Sequence, residues 1–188
     1  MTEPPSTGQP HVQEPPVAAV AGDPAAGVTL PAVPGPLVWL RGLGVRFLLD
    51  GEQTGGRFAV VEHPLRPRAL ASPVHTHRDE DEYSYVLEGR VGIQLGERVL
   101  VAGPGDLVAK PRGVPHAFWN AGDGPARLLE IISPAGFEHY FAAMAPLLPP
   151  AAAAPDLAGM AAVRDRHHLS VDPASVPVLT ERYGLLPY

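Results

Sequence analysis

Two stretches decide the fold, HTHRDEDEYSYVLEG at residues 75–89 and GDLVAKPRGVPHAFWN at residues 105–120. In the first, His75 and His77 stand two apart, so on a strand their side chains project to one face. Glu82 opens an apolar strand that ends at Gly89. Two imidazoles and a carboxylate converging from adjacent strands make the facial arrangement that holds a divalent ion with open coordination positions. In the second stretch, Gly105 and Asp106 turn the chain and DLVAK returns as a strand. Pro111 and Gly113 then make another turn that feeds His116 into the next strand. His116, Phe118 and Asn120 share one face of it, and a third imidazole from a separate hairpin is what a four-ligand site in a barrel needs.

A single histidine on a strand is ordinarily solvent-facing or satisfied in the core, so the weight rests on the spacings taken together. Working outward, short β-like runs punctuated by turn residues extend from Leu37 to Ile132: VWL, VRFLLD, RFAVVEH, EYSYVLE, RVGIQL, RVLVA, DLVAK, HAFWN and ARLLEII. Between them stand GEQTGG, EG, LGE, AGPGD, PRGVP and NAGDGP. Closely spaced strands without long intervening helices favour an all-β sandwich or barrel over a parallel α/β sheet. Parity along these strands places Ser84, Val86 and Phe118 toward the interior as a candidate substrate pocket, and Tyr83 and Tyr85 away from it.

The two stretches resemble, jointly, the two motifs of the cupin superfamily. The first motif reads H-x-H, three or four residues, E, six residues, G, and is met by His75, His77, Glu82 and Gly89. The second reads G-x5-P-x-G-x2-H-x3-N, and is met by Gly105, Pro111, Gly113, His116 and Asn120. The fifteen residues between Gly89 and Gly105 suit the short inter-motif segment of microbial cupins. One position departs: Ala69 stands where the family's first motif ordinarily begins with glycine. The resemblance spans Val60 to Pro134 and implies a double-stranded β-helix, or jelly-roll, barrel over residues 37–134. It also implies one divalent transition metal ion (Fe, Mn, Ni, Co, Cu or Zn) on His75, His77, Glu82 and His116. The wording of DEDEYSYVLEGRVG and PHAFWNAGDGPARLLEIISP is most similar to single-domain cupins described as quercetin-dioxygenase-like. That likeness implies a metal-dependent oxidoreductase, a dioxygenase of a small aromatic or enol-bearing molecule, with Glu82 as both ligand and catalytic base. The alternatives are a redox-neutral isomerase or polyketide-type cyclase, and a non-catalytic cupin that binds a small molecule.

The ends of the chain have a different character. Residues 1–36 read as a disordered Pro-rich tail, because nine prolines and small residues cannot bury enough apolar surface to offset conformational entropy. Residues 135–188 read as a helical segment. Phe137, Tyr140, Phe141 and Met144 fall at helical spacing over Gly136 to Leu148, and a second run covers Asp156 to His167. AAAAP at 151–155 is a linker between the two. A third helix is expected from Asp172 as N-cap, with Pro173 at its first position, to Gly184.

Composition excludes several classes. No cysteine is present, which removes disulfides, thiolate metal sites and cysteine nucleophiles. Net charge is −6, and Lys110 is the single lysine among 14 basic residues, so no basic stripe recommends nucleic acid as a partner. The first basic residue is Arg41 and the uncharged stretch from Tyr140 to Pro155 is broken by prolines, so neither a signal peptide nor a membrane span is expected. A cytoplasmic protein without membrane contact follows as the expectation. Asp79, Glu80 and Asp81 read as a solvated acidic loop, His63 as a core or edge histidine, and His139, His167 and His168 as surface residues. Homodimerisation, frequent among cupins, is expected through Phe137, Tyr140, Phe141 and Met144 with Tyr83 and Tyr85, on the premise that these form exposed apolar surface.

Overall fold

A computed structural model describes residues 35–148 and 155–186. The expected tail, Gly35 and Pro36 excepted, and the expected linker, Pro155 excepted, lie outside the described residues.

The chain runs β1 (Leu37–Leu40), β2 (Leu43–Leu49), a single helical turn α1 (Gly51–Thr54), β3 (Ala59–Leu65), β4 (Val74–His77) and β5 (Asp81–Glu88). It continues through β6 (Val91–Leu95), β7 (Arg98–Ala102), β8 (Leu107–Lys110), β9 (His116–Asn120) and β10 (Ala126–Ser133). Then follow α2 (Glu138–Met144), a 3-10 turn (Ala145–Leu147), α3 (Leu157–Arg166), β11 (Leu169–Asp172) and α4 (Ser175–Tyr183). Two antiparallel sheets result, ordered β1-β2-β3-β10-β5-β8 and β11-β4-β9-β6-β7. This is the expected jelly roll with a helical C-terminal extension.

The alternation written in the sequence becomes the alternation of burial. Ala59, Val61, His63 and Leu65 point inward from β3, and Ala126, Leu128, Glu130 and Ile132 from β10. From β5 the inward set is Glu82, Ser84 and Val86. Apolar members of these rows join Val45, Ile93 and Phe118 in the main core. Two glycines are dictated by geometry. Gly89 has φ 77°, and a Cβ there would stand 2.7 Å from the Pro125 carbonyl oxygen. At Gly92 a Cβ would meet the Trp119 ring at 2.2 Å, so a glycine on β6 lets that indole lie flat against the sheet.

β9 is buried on both faces. His116, Phe118 and Asn120 face the interior, while Ala117 and Trp119 pack with Leu179 and Leu185 of the C-terminal extension. Trp119 stacks on Tyr183, with ring centroids 4.2 Å apart. The extension therefore covers the outer face of the second sheet at β9.

Four features differ from expectation. GEQTGG closes α1 rather than a plain turn, because Asp50 and Gln53 form a reciprocal capping box. LSVD at 169–172 is a strand that pairs with β4 through Leu169↔His77, Ser170↔Thr76, Val171↔His75 and Asp172↔Val74. Asp172 thus ends β11, accepts a hydrogen bond from Ala174 N at 3.0 Å, and the helix starts at Ser175. Finally, Phe137, Phe141 and Met144 are buried against the barrel. The premise of exposed apolar surface behind the homodimer expectation does not hold for them, since the helical periodicity served intramolecular packing.

Candidate metal centre

β4 and β9 meet at a single register pair, His75↔His116, which sets two imidazoles edge to face with centroids 4.2 Å apart. His77, two residues along β4, adds a third ring 5.1 Å from His75 and 5.4 Å from His116. Glu82 comes from the start of β5 in the other sheet. The two motif turns are tied to each other: Arg112 Nη2 donates to Asp81 Oδ2 at 2.8 Å, and Gly113 N donates to the His77 carbonyl oxygen at 2.8 Å. Each of the four side chains offers one ligand atom, and these atoms lie within 4.8 Å of one another, all buried.

The hydrogen-bond pattern fits a cation at their centre. His75 Nδ1 lies 2.9 Å from the Pro73 carbonyl oxygen and His116 Nδ1 lies 2.9 Å from that of Val114. A carbonyl only accepts, so Nδ1 carries the proton in both rings and Nε2 is left with a lone pair. His116 Nε2 nevertheless stands 3.1 Å from Glu82 Oε2, and His77 Nε2 stands 3.5 Å from Glu82 Oε1. Lone pairs facing a carboxylate oxygen at this range repel unless a positive charge lies between them. Ligands about 2.1 Å from one ion sit about 3.0–3.4 Å apart along an edge of its coordination polyhedron. Both ring nitrogens of His77 are buried without a hydrogen-bond partner, and its Nδ1 is 3.4 Å from Glu80 Oε2. Glu80 is thus buried beside a ring of the cluster, not solvated with the rest of the acidic loop.

Protonation states favour the same occupant. Burial, with His116 and His77 close by, holds the His75 pKa well below its ordinary value. Burial also lowers that of His116, against the opposing influence of the Glu82 carboxylate beside it. Burial raises the Glu82 carboxyl, but Lys110, His77 and His116 together outweigh it and hold it well below the usual carboxylate range. Neutral imidazoles and an ionised carboxylate are the forms that ligate. The donor set, nitrogen with one oxygen, suits a divalent transition ion and leaves its identity open.

Beside the cluster lies a charged network that the sequence reading passed over. Glu82 pairs in register with Lys110 on β8, and Ser84 with Glu130 on β10. Lys110 Nζ is 2.9 Å from Glu82 Oε2 and 2.9 Å from Glu130 Oε2, and Ser84 Oγ donates to Glu130 Oε2 at 2.9 Å. The ammonium also sits 4.8 Å from the centroid of Phe118. Strand parity held the signal, because Glu130 shares its face with Leu128 and Ile132, and Lys110 is the sole lysine.

A cavity of about 710 Å³ opens beside His75 and Glu82. His63, Glu130 and Phe118 also line it, and the extension contributes Phe137, Tyr140, Phe141, Met144, Met160 and Arg164 among others. Of the expected pocket residues, Phe118 lines this cavity. Ser84 and Val86 are buried but are not among its lining residues, Ser84 being engaged by Glu130 and Val86 packed in the core. His63 lies in the wall, its Nδ1 3.0 Å from the Gly44 carbonyl oxygen. His139 is exposed, while His168 joins Asp79 at 2.8 Å on the surface.

Residues 62–132 match the cupin domain family. No curated protein matches the chain. Among solved structures, a sugar phosphate isomerase from a cupin superfamily, from Silicibacter pomeroyi, is 32% identical over 49% of this chain and 59% of its own, with a TM-score of 0.44. The chain thus spans 59% of that protein's length. The polyketide cyclase RemF from Streptomyces resistomycificus is 33% identical over 49% of this chain and 65% of its own, with a TM-score of 0.44. KdgF from Halomonas sp. is 16% identical over 55% of this chain and 90% of its own, with a TM-score of 0.50, a likeness of fold.

Proposed function

We propose that this chain, whose residues 62–132 match the cupin domain family, is a metal-dependent cupin oxidoreductase, a dioxygenase of a small aromatic or enol-bearing molecule. The observation that carries the reading is the three-histidine, one-glutamate cluster, of which His75 and Glu82 line a largely apolar cavity of about 710 Å³. That volume lies within the range of small-molecule sites, which are mostly apolar with a few convergent polar groups. In this reading His75, His77, Glu82 and His116 hold the ion, which when bound supplies Lewis acidity toward a substrate oxygen and, if redox-active, a path for electrons to O₂. Phe118, Phe137 and Tyr140 offer ring faces and edges to a planar substrate and keep water from it. Glu82 is a ligand here and the nearest carboxylate to accept a substrate proton.

One observation favours a second reading. A redox-neutral isomerase or cyclase moves protons rather than electrons, and the cavity wall holds two carboxyl groups, Glu82 and Glu130, linked by Lys110. The test is elemental analysis of the purified protein followed by an oxygen-electrode screen of flavonols and other enols. Metal-dependent oxygen uptake is the expected result. Turnover without oxygen uptake selects the isomerase or cyclase, and binding without turnover selects the non-catalytic cupin.

A further inference from the structure

With the four-residue cluster and the Lys110 network assigned, one cation of the cavity wall stands without a carboxylate to answer it. Arg164 lies in the last turn of α3, half-buried, and lines the cavity. Its Nε donates to the Met160 carbonyl oxygen at 3.2 Å, one turn back along the helix. That bond engages the inner nitrogen and leaves the two terminal ones, Nη1 and Nη2. Among the described residues no carboxylate pairs with them.

The guanidinium charge reaches into the cavity. Burial raises the pKa of the Tyr140 hydroxyl in the same wall, and Arg164 opposes that rise. The other charged groups of the wall are committed elsewhere. Arg41 has a partner of its own, and Glu82 and Glu130 each lie 2.9 Å from Lys110 Nζ. Around Arg164 the wall is apolar, with Phe141, Met144, Leu157 and Met160 among its residues. A cation at the edge of such a surface is poorly solvated on that side, and it gains from an anion brought by whatever fills the cavity. The two terminal nitrogens form a planar fork that matches both oxygens of a carboxylate.

We propose that Arg164 selects the charge of the substrate: the cavity takes an aromatic or other apolar molecule bearing a carboxylate, whose two oxygens pair with the Arg164 Nη groups while its rings lie among Phe137 and Tyr140. The proposal rests on the reading of the cavity as a substrate site beside the metal cluster. Because α3 lies outside residues 62–132, this selectivity belongs to the extension and not to the part of the chain that matches the cupin domain.

The probes are 6-hydroxy-2-naphthoate and its uncharged amide, 6-hydroxy-2-naphthamide, which differ only in the group offered to Arg164. Their binding to the full chain is measured by calorimetry near neutral pH, with Zn²⁺ added and again after chelation. The wild type is expected to bind the acid roughly 10–100-fold more tightly than the amide. Arg164→Gln should lose that preference and keep the wild-type affinity for the amide. Equal affinities in the wild type overturn the proposal. So does a preference that survives in Arg164→Gln or is lost only in Arg41→Gln, because the carboxylate is then held elsewhere. A wild type that takes up Zn²⁺ and binds neither probe overturns the proposal and leaves the metal site standing. An Arg164-dependent preference in protein that takes up no Zn²⁺ supports the proposal and removes the metal reading alone. If circular dichroism shows Arg164→Gln misfolded, Arg164→Lys decides. Lysine lacks the planar fork, so the preference should shrink severalfold, and an unchanged preference overturns the proposal.

Discussion

His77 has both ring nitrogens buried without a hydrogen-bond partner, and the nearest group to its outer nitrogen is Glu80 at 3.4 Å. A carboxylate behind a ligating imidazole orients the ring and raises its basicity, and losing one typically costs about 10–100-fold in metal affinity. Glu80→Gln should therefore weaken Zn²⁺ binding by about that factor in competition with a chelator, while Asp79→Asn leaves it unchanged. Glu82→Gln should lower metal occupancy outright. If Glu82 is also the base, activity per bound metal falls a further ~10²–10⁴-fold, and full activity of the metal-loaded variant ends that assignment. His63 bears on stability. Its pKa falls to about 4 by burial, so above 6.5 the folded and unfolded forms are both neutral. Between about 6.5 and 4 the unfolded chain binds the proton and the folded one does not, and up to about 3 kcal/mol of stability is lost as pH falls. Glu130 acts in the opposite sense, since its raised value costs stability as pH rises toward about 7. On going from pH 7 to pH 5 the denaturant midpoint of the wild type should therefore fall relative to that of His63→Phe, whose change no longer carries the His63 contribution. The four cluster residues could be read from sequence because their spacing is local to two hairpins. For Lys110 and Glu130 parity showed the inward face but not the pairing, which comes from register between strands distant in sequence, and Glu80, only three residues from His77, was hidden among the acidic residues of its loop.

β4 has few attachments within the barrel. It meets β9 through the single pair His75↔His116, but it pairs with β11 along its whole length. The extension therefore seats the strand that carries two of the cluster histidines, and Phe137 braces His77 with ring centroids 4.2 Å apart. Ending the chain after His167 should remove β11 and α4, lower metal occupancy, and bare Trp119. Retention of wild-type metal content by that truncation would show that β4 is held by the barrel alone. The barrel strands were legible, since alternation and turn residues mark each one. β11 was not, because LSVD is only four residues long and gains its identity from pairing with β4. The same holds for Pro173, which suits a first helical position but is preceded by an Asp172 already committed to a strand.

At the scale of the molecule, the cavity belongs jointly to the barrel and the extension: His75, Glu82 and Phe118 come from one, Phe141, Met160 and Arg164 from the other. Binding an ion to the folded state alone stabilises it by mass action, about 2.7 kcal/mol at a hundredfold excess over Kd. Adding Zn²⁺ to stripped protein should raise the melting temperature of the wild type and leave that of His116→Ala unmoved. Among the described residues no helix is long and apolar enough to cross a membrane. The homodimer stands as a proposal without its first motive, and light scattering that shows a monomer at high concentration would end it. The late strand also sets an order of events during synthesis. β11 joins β4 roughly ninety residues after β4 has been made. Until then the strand bearing His75 and His77 offers a bare edge of backbone donors and acceptors to any other nascent chain. An interrupted translation product would carry the metal motif and an open β edge together, and so would aggregate instead of collecting metal. The centre is expected to assemble only once Leu169 to Asp172 are free to pair with β4.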